Sequence, residues 1–213
     1  PAEDGEENGT LVRFTPDASI FKGYQFRDDI VETMVKNYWF LNTGLSLIYN
    51  GRKYHSRYGL SDLVKENMTS EPLYPLMRFT GDDIEVVITH AAQVGEEFYS
   101  FVNGQHTTQG GTHQSAFREA ISRTIKDYYG KNFEYSDIRN GIVAAISLKV
   151  EEPVFESQTK IKLGSTIMWK DGPTIYKYIN DFIKKELDDY LHKTPATAEI
   201  MLKKIQESER DRK

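Results

Sequence analysis

The chain has 213 residues, of which 38% are hydrophobic and 12% aromatic, and its formal net charge is -5. This length and apolar content suffice for one large folded domain or a domain with an appendage, and they exclude disorder over the whole length. The acidic balance argues against a protein that wraps nucleic acid by bulk charge, and the absence of cysteine excludes disulfides, cysteine-type zinc sites and thiol catalysis.

No apolar run in the sequence approaches membrane-spanning length, and no secretory signal is visible. Together with the lack of cysteine, this favours a cytoplasmic protein without a membrane partner. The chain begins with Pro1 and ends with Lys213 inside a helical pattern that has no Gly or Pro stop. We therefore expect a fragment of a longer protein.

The first part of the chain combines short strands, turns and helices. Its patterns predict a poorly ordered polar loop over residues 1–9, a strand over 10–14, a helix over 27–40, a hairpin of strands over 45–49 and 53–58 joined at Asn50 and Gly51, and a helix over 60–68. Ser61 is the expected N-cap of this last helix, because its hydroxyl can accept a bond from a free backbone N–H.

The second part alternates four further strands with long amphipathic helices. Its patterns predict strands over residues 76–80, 84–91, 97–102 and 142–150, a polar loop over 103–111, and helices over 112–129, 174–191 and from Pro195 onward. Thr112 is the expected N-cap of the helix over 112–129. Hairpins mixed with packed helices are typical of the α+β class.

The most informative segment follows the strand over residues 142–150. It is a polar loop, Pro-Val-Phe-Glu-Ser-Gln-Thr-Lys-Ile-Lys-Leu-Gly-Ser over residues 153–165, in which Gln158 and Lys160 can face the same side. A lysine ammonium is a compact charge on a mobile stem, and each charge-assisted hydrogen bond to a phosphate gains about 1.5–3 kcal/mol. Spacing alone leaves open the alternative that both side chains are merely solvated.

This segment resembles the QTK loop in the B subunits of bacterial type II topoisomerases, DNA gyrase and topoisomerase IV. Residues 9–21, Gly-Thr-Leu-Val-Arg-Phe-Thr-Pro-Asp-Ala-Ser-Ile-Phe, resemble the end of that family's ATPase domain. Residues 110–113, Gly-Gly-Thr-His, resemble its GGTH signature, and residues 137–150 resemble the strand that leads to the QTK loop. The resemblance extends from about residue 10 to residue 212.

The resemblance implies a transducer domain with the ribosomal S5 domain 2-like fold, in which helices pack on a mixed sheet and further helices follow. Its boundaries would be 1–17 for the tail end of the ATPase domain, 18–192 for the transducer domain and 193–213 for a C-terminal helix that leads toward the next domain.

The resemblance also implies that Gln158 and Lys160 contact the γ-phosphate of ATP held by a neighbouring domain. The domain would couple ATP binding and hydrolysis to DNA-gate closure and strand passage. ATP and Mg²⁺ would belong to the full-length subunit, and the fragment alone would bind neither and have no catalytic residue and no activity. The implied partners are double-stranded DNA, an A-type topoisomerase subunit and a second copy of the B-type subunit.

Several features allow other interpretations. Glycines 110 and 111 precede a helix and could hold an anion, but the Walker A spacing is missing and a tight turn is the favoured interpretation. Thr108 and Gln109 stand where some relatives have a basic residue, which weakens a DNA role for this loop. His106 and His113 flank the same loop, yet no ligand spacing supports a metal site.

Two other functions remain open from the sequence. One is a nucleic-acid-binding structural module of the S5-like fold, and the other is the transducer of a MutL-type mismatch-repair ATPase. The extended loop and the Gly-Gly-Thr-His segment fit the topoisomerases better. The sequence does not separate gyrase from topoisomerase IV.

Overall fold

The computed structural model describes residues 8–213, so most of the loop expected over residues 1–9 lies outside the described part. The helices are α1 Asp28–Leu41, α2 Leu60–Asn67, α3 Thr112–Tyr129, α4 Tyr135–Arg139, α5 Ile175–Lys193 and α6 Pro195–Arg212. The strands are β1 Ser46–Tyr49, β2 Arg52–His55, β3 Met77–Thr80, β4 Ile84–His90, β5 Glu97–Val102, β6 Gln105–His106 and β7 Ile142–Leu148.

A five-stranded sheet of order β3-β4-β7-β5-β6 organises the larger part of the molecule, and β1 and β2 form a separate hairpin. The central strand β7 pairs antiparallel with β4, from Ile84 opposite Leu148 to His90 opposite Ile142. It pairs parallel with β5 on its other edge. The sheet is therefore mixed, and helices pack on it, which confirms the expected α+β class.

The central strands bury apolar side chains on both faces, as their nearly continuous apolar sequences predict. On one face, Val86 and Ile146 belong to the main core, which they share with α3, α5 and α6. On the other face, Val87 and Ala145 pack in a second cluster with α2 and Phe40 of α1. Neighbouring residues alternate between the clusters because successive side chains of a strand point to opposite faces.

Residues 8–58 are organised differently, and one prediction here was wrong. The strand expected over residues 10–14 does not form, because the described part of the chain offers it no partner strand, and Leu11 and Val12 stay exposed. Helix α1 forms as predicted, but Ile30, Met34 and Tyr38 are 50%, 57% and 53% exposed along one of its faces. This region therefore leaves an apolar surface uncovered.

Both N-cap predictions were also wrong. Helix α2 begins at Leu60, so Ser61 lies inside the helix and cannot be its N-cap. The N-cap position is occupied by Gly59, whose φ is 53°. Helix α3 begins at Thr112, whose hydroxyl donates instead to the Ser165 carbonyl at 2.6 Å. The Thr112 side chain thus makes its hydrogen bond to the neighbouring segment at Ser165 and not to the backbone of its own helix.

Three smaller differences concern element lengths. The two-residue strand β6 forms inside the expected loop over residues 103–111, and the short helix α4 forms where only a turn was expected. Strand β7 ends at Leu148, two residues early. No helix within residues 8–213 combines the length and the apolar character needed to cross a bilayer.

Candidate functional site

The segment around Gln158 and Lys160 is a small hairpin, residues 155–163, which we call the QTK hairpin. Its base is an antiparallel bridge between Phe155 and Leu163, and the Glu156 N–H donates to the Lys162 carbonyl at 3.0 Å. Its turn is closed by the Lys160 N–H, which donates to the Ser157 carbonyl at 3.0 Å. Residues 157–160 therefore form the tip of the hairpin.

Lys160 is presented to the outside by a backbone conformation that side chains rarely adopt. Its φ is 56°, in the left-handed region, and both it and Gln158 are exposed. Within residues 8–213 Lys160 takes part in no ion pair, whereas Lys162 pairs with Glu156 at 2.9 Å. The ammonium group at the tip is thus the one available to an external anion, while the one at the base is already neutralised.

The QTK hairpin is hydrogen-bonded along one edge to residues 109–112, the segment that carries the paired glycines. The Gln109 N–H donates to the Ile161 carbonyl at 2.9 Å, and the Leu163 N–H donates to the Gly110 carbonyl at 3.1 Å. The Thr112 N–H donates back to the Leu163 carbonyl at 3.1 Å. Two motifs that stand about 50 residues apart in the sequence therefore form one unit in the structure.

Gly111 is required at this contact for two reasons. Its φ is 129°, which disfavours any side chain, and a Cβ built there would lie 2.3 Å from the Leu163 carbonyl oxygen. The Gly110 N–H donates to the Thr107 carbonyl at 2.8 Å, so it is already used within the protein, as is the Thr112 N–H. The glycine pair thus forms a tight turn against the hairpin and does not present these donors to an anion.

A cleft of about 600 Å³ lies between the QTK hairpin and the first turns of α3 and α5. Glu119 and Glu156 contribute carboxylates to its wall, and Lys162 contributes one ammonium group. The Tyr176 hydroxyl donates to Glu119 at 2.7 Å. Two carboxylates beside one paired lysine do not favour a triphosphate, so the electrostatics of this cleft do not compete with the exposed tip for such an anion.

The histidines that flank the glycine loop have separate partners. His106 stacks on Phe101 with ring centroids 4.7 Å apart, and burial lowers its pKa. His113 is fully buried, with Nε2 3.0 Å from Thr107 Oγ1, and burial lowers its pKa to about 4. In the part of the chain that the structure describes, no group of three His, Asp or Glu side chains is placed to hold a metal ion.

One buried polar cluster was missed by sequence reasoning. Asp137, 2% exposed, accepts from Arg212 Nε at 2.9 Å and from the Ser208 hydroxyl at 3.2 Å. The Asn140 amide donates to the same hydroxyl at 3.0 Å. These bonds fix the end of α6 to α4, but they join residues about 70 positions apart in the sequence, so no local pattern announces them.

Comparison with known proteins assigns the chain to a family. The family model described as DNA gyrase B matches residues 57–213. The chain belongs to the DNA gyrase B family. It is 35% identical over 212 residues to the B subunit of DNA topoisomerase 4 from Borreliella burgdorferi, a match that covers 99% of this chain and 34% of the relative. It is 31% identical to the B subunit of DNA gyrase from Helicobacter pylori, covering 95% of this chain and 28% of the relative.

Solved structures show the same fold. The 43K ATPase domain of Thermus thermophilus gyrase B, in complex with an aminocoumarin, matches with a TM-score of 0.74 and 23% identity over 93% of this chain and 57% of that one. The topoisomerase IV ATP binding domain of Francisella tularensis matches with a TM-score of 0.72 and 22% identity over 92% and 57%. The predicted type II topoisomerase family is thus confirmed, and the chain spans about a third of the length of its curated relatives.

Proposed function

We propose that this chain serves as part of a cytoplasmic type II DNA topoisomerase, in which it couples ATP binding and hydrolysis in an adjacent domain to DNA-gate closure and strand passage. The observation that carries the proposal is the exposed Lys160 at the tip of the QTK hairpin. The hairpin is hydrogen-bonded to residues 109–112 and follows β7 in the chain.

The chemistry of the tip fits a terminal phosphate. Lys160 supplies an ammonium donor and Gln158 an amide donor, both from exposed positions. ATP, held with Mg²⁺ by the adjacent domain, supplies the terminal phosphate and the free energy of its hydrolysis. In this proposal the metal is held with the nucleotide by residues of the adjacent domain.

The two donors make the relative position of the two domains depend on whether a nucleotide is bound. Lys160 and Gln158 reach the phosphate only when the two domains close, so their bonds stabilise the closed state over the open one. Loss of the phosphate removes these bonds and lets the domains separate. Because the backbone of the hairpin is bonded to residues 109–112, the closure moves the start of α3 and not only the loop.

The domain limits and partners follow from the same proposal. We place the tail end of the ATPase domain at 1–17, the transducer domain at 18–192 and the C-terminal helix at 193–213. The uncovered apolar side chains within residues 11–58 support a neighbouring domain that covers them. The proposed partners are double-stranded DNA, an A-type subunit and, upon ATP binding, a second copy of the B-type subunit.

The deciding experiment is Lys160→Ala in the full-length subunit. Loss of one charge-assisted bond should reduce ATP-driven strand passage and ATPase activity by about 10- to 100-fold. Lys170→Ala is the matched control, because Lys170 is also exposed but lies outside the hairpin, and it should keep full activity. Wild-type supercoiling or relaxation by Lys160→Ala would contradict the proposal.

The chain by itself should bind ATP poorly and hydrolyse none. Its only proposed contact with the nucleotide is the terminal phosphate, which leaves the base, the sugar and the metal without partners. Isothermal titration with Mg-ATP tests this directly, and micromolar affinity would show that the pocket lies within these residues.

A further inference from the structure

The position of the QTK hairpin depends on what holds the segment to which it is bonded. Residues 107–111 precede α3 without regular structure, and both Gly110 and Gly111 have positive φ. Such a turn is not rigid on its own, because glycine permits many alternative conformations. A group of buried polar side chains beneath the turn supplies the missing constraint.

This group joins three separate elements. Thr107 Oγ1 donates to the Ser100 carbonyl of β5 at 2.8 Å, and the Thr107 N–H donates to the same carbonyl at 2.8 Å. Ser100 Oγ lies 2.9 Å from Gln114 Oε1 and 2.8 Å from Thr107 Oγ1. His113 Nε2 of α3 lies 3.0 Å from Thr107 Oγ1. Ser100 and Thr107 are 1% exposed and His113 is 0% exposed.

Thr107 has one hydroxyl proton, and the Ser100 carbonyl at 2.8 Å is a nearer acceptor than His113 Nε2 at 3.0 Å. We therefore assign the proton to the Ser100 carbonyl, so that Thr107 Oγ1 accepts from His113 and Nε2 carries the hydrogen. His113 Nδ1 is then a bare acceptor, and it has no partner among the described residues. Burying a ring with one satisfied nitrogen is costly, so packing alone does not explain a histidine here.

We propose that His113 is a positioning residue for Lys160. His113 holds the Thr107 hydroxyl in place. Thr107 is the first residue of the glycine turn, and the turn is closed by the Gly110 N–H, which donates to the Thr107 carbonyl at 2.8 Å. The turn in turn holds the hairpin through the bonds from Gln109 to Ile161 and between Gly110 and Leu163. The effect of this role on activity rests on the proposed contact between Lys160 and a terminal phosphate. The positioning of the hairpin by His113 is independent of that contact.

The first arm of the test measures the hairpin in this chain directly. Because the sequence has no cysteine, Thr159→Cys gives a unique site for a nitroxide label at the tip. His113→Phe keeps a ring but removes the donor, and Thr107→Val removes the hydroxyl at nearly constant volume. Both should increase the mobile fraction of the nitroxide spectrum, and His113→Gln, which restores a donor near Nε2, should reduce it again.

Ser122→Ala is the matched control. Ser122 is also fully buried in α3, and its hydroxyl donates to the Arg118 carbonyl at 2.9 Å, away from the glycine turn. It should leave the nitroxide spectrum unchanged even where it lowers stability. An equal increase in mobility for Ser122→Ala, or none for Thr107→Val, would overturn the positioning role. Thr107→Val also decides the question if His113→Phe does not fold.

The second arm uses the full-length subunit and a double-mutant cycle. Thr107→Val should lower ATPase activity about tenfold in the natural background but have little further effect on Lys160→Ala, since both act through the same contact. Independent effects would show that Thr107 acts elsewhere and would overturn the inference. If Lys160→Ala itself has full activity, the proposed function fails, while the nitroxide result still decides whether His113 and Thr107 hold the hairpin.

Discussion

Residues 8–58 and residues 59–213 use similar sequence patterns to opposite effect. Thirteen of the nineteen large apolar side chains that are exposed in the described chain lie within residues 11–58. Conversely, Phe40 and Tyr54 are the only members of the buried apolar core that come from residues 8–58. One region is a completed core and the other has apolar faces without a cover.

Helices α1 and α5 show what this difference teaches. Both carry apolar residues four positions apart, but Ile179, Ile183 and Leu187 of α5 are fully buried in the main core, whereas Ile30 and Met34 of α1 are half exposed. Periodicity identifies the residues that share a face of a helix. It does not show whether another element covers that face.

The largest expected effect is an acid destabilisation confined to the completed core. Burial lowers the pKa of His90 and of His113 to about 4, from an ordinary 6.5. The unfolded chain therefore binds protons more readily, so stability is complete above pH 6.5 and falls as the pH drops toward 4. Between pH 8 and pH 5 the two rings should together reduce the free energy of unfolding by about 4 kcal/mol.

Urea titrations at the two pH values measure this loss. His113→Gln should remove about half of the histidine contribution. A loss at pH 5 that is unchanged in His113→Gln would place the acid sensitivity outside the buried rings.

A pair of truncations compares the two regions directly. Ile146→Ala, at the centre of β7 and fully buried, should lower the free energy of unfolding by about 3 kcal/mol through lost contacts and a cavity. Met34→Ala, on the exposed face of α1, should change it by less than about 0.5 kcal/mol. Equal effects in chemical denaturation would show that the face of α1 is covered in this chain, for example by a second copy.

Gly111→Ala tests the contact between the glycine turn and the hairpin. A methyl group would lie 2.3 Å from the Leu163 carbonyl oxygen, so the contact must open, at a cost of about 2–3 kcal/mol. Gly130→Ala also faces a positive φ, but it has no neighbour within 4 Å and should cost only about 1 kcal/mol. Amide exchange at Leu163 should accelerate in the first variant alone.

The smallest effect is expected where the two regions meet. Lys36 of α1 and Glu66 of α2 form an ion pair at 2.7 Å, and the Glu66 hydrogen bond raises the pKa of Lys36. Because both side chains are partly exposed, Glu66→Gln should cost less than about 1 kcal/mol, and ~1 M salt should abolish the difference. A loss of several kcal/mol would mean that this pair, and not apolar packing, joins the regions.

Most of the fold could be predicted from the sequence because it depends on local signals. Apolar spacing predicted α1, α3 and α5, and the Asn50–Gly51 pair predicted the β1–β2 hairpin. The prediction of a strand over residues 10–14 was wrong because a strand forms only when another strand pairs with it, and the described chain contains no such partner. Helix α4 and strand β6 have five and two residues, too few for a periodic signal.

The candidate site was predictable only in part. The resemblance supplied Gln158 and Lys160, and the structure places both at an exposed tip, while their contact with a phosphate remains a prediction. The bond between Gly110 and Leu163 joins distant segments, so no local pattern reveals it. The same holds for Ser100, Thr107 and His113, whose chemistry becomes visible only when β5 and α3 are brought together.

The placement of β7 has a mechanical consequence. The strand is bonded to β4 on one edge and to β5 on the other, and its carboxyl end continues toward the QTK hairpin. A load on the tip that reaches β7 through residues 149–154 is therefore shared by the hydrogen-bond ladders on both edges of the strand. A strand that is paired on both edges cannot be detached along one edge alone, so force applied at Lys160 should displace the sheet before it extends β7.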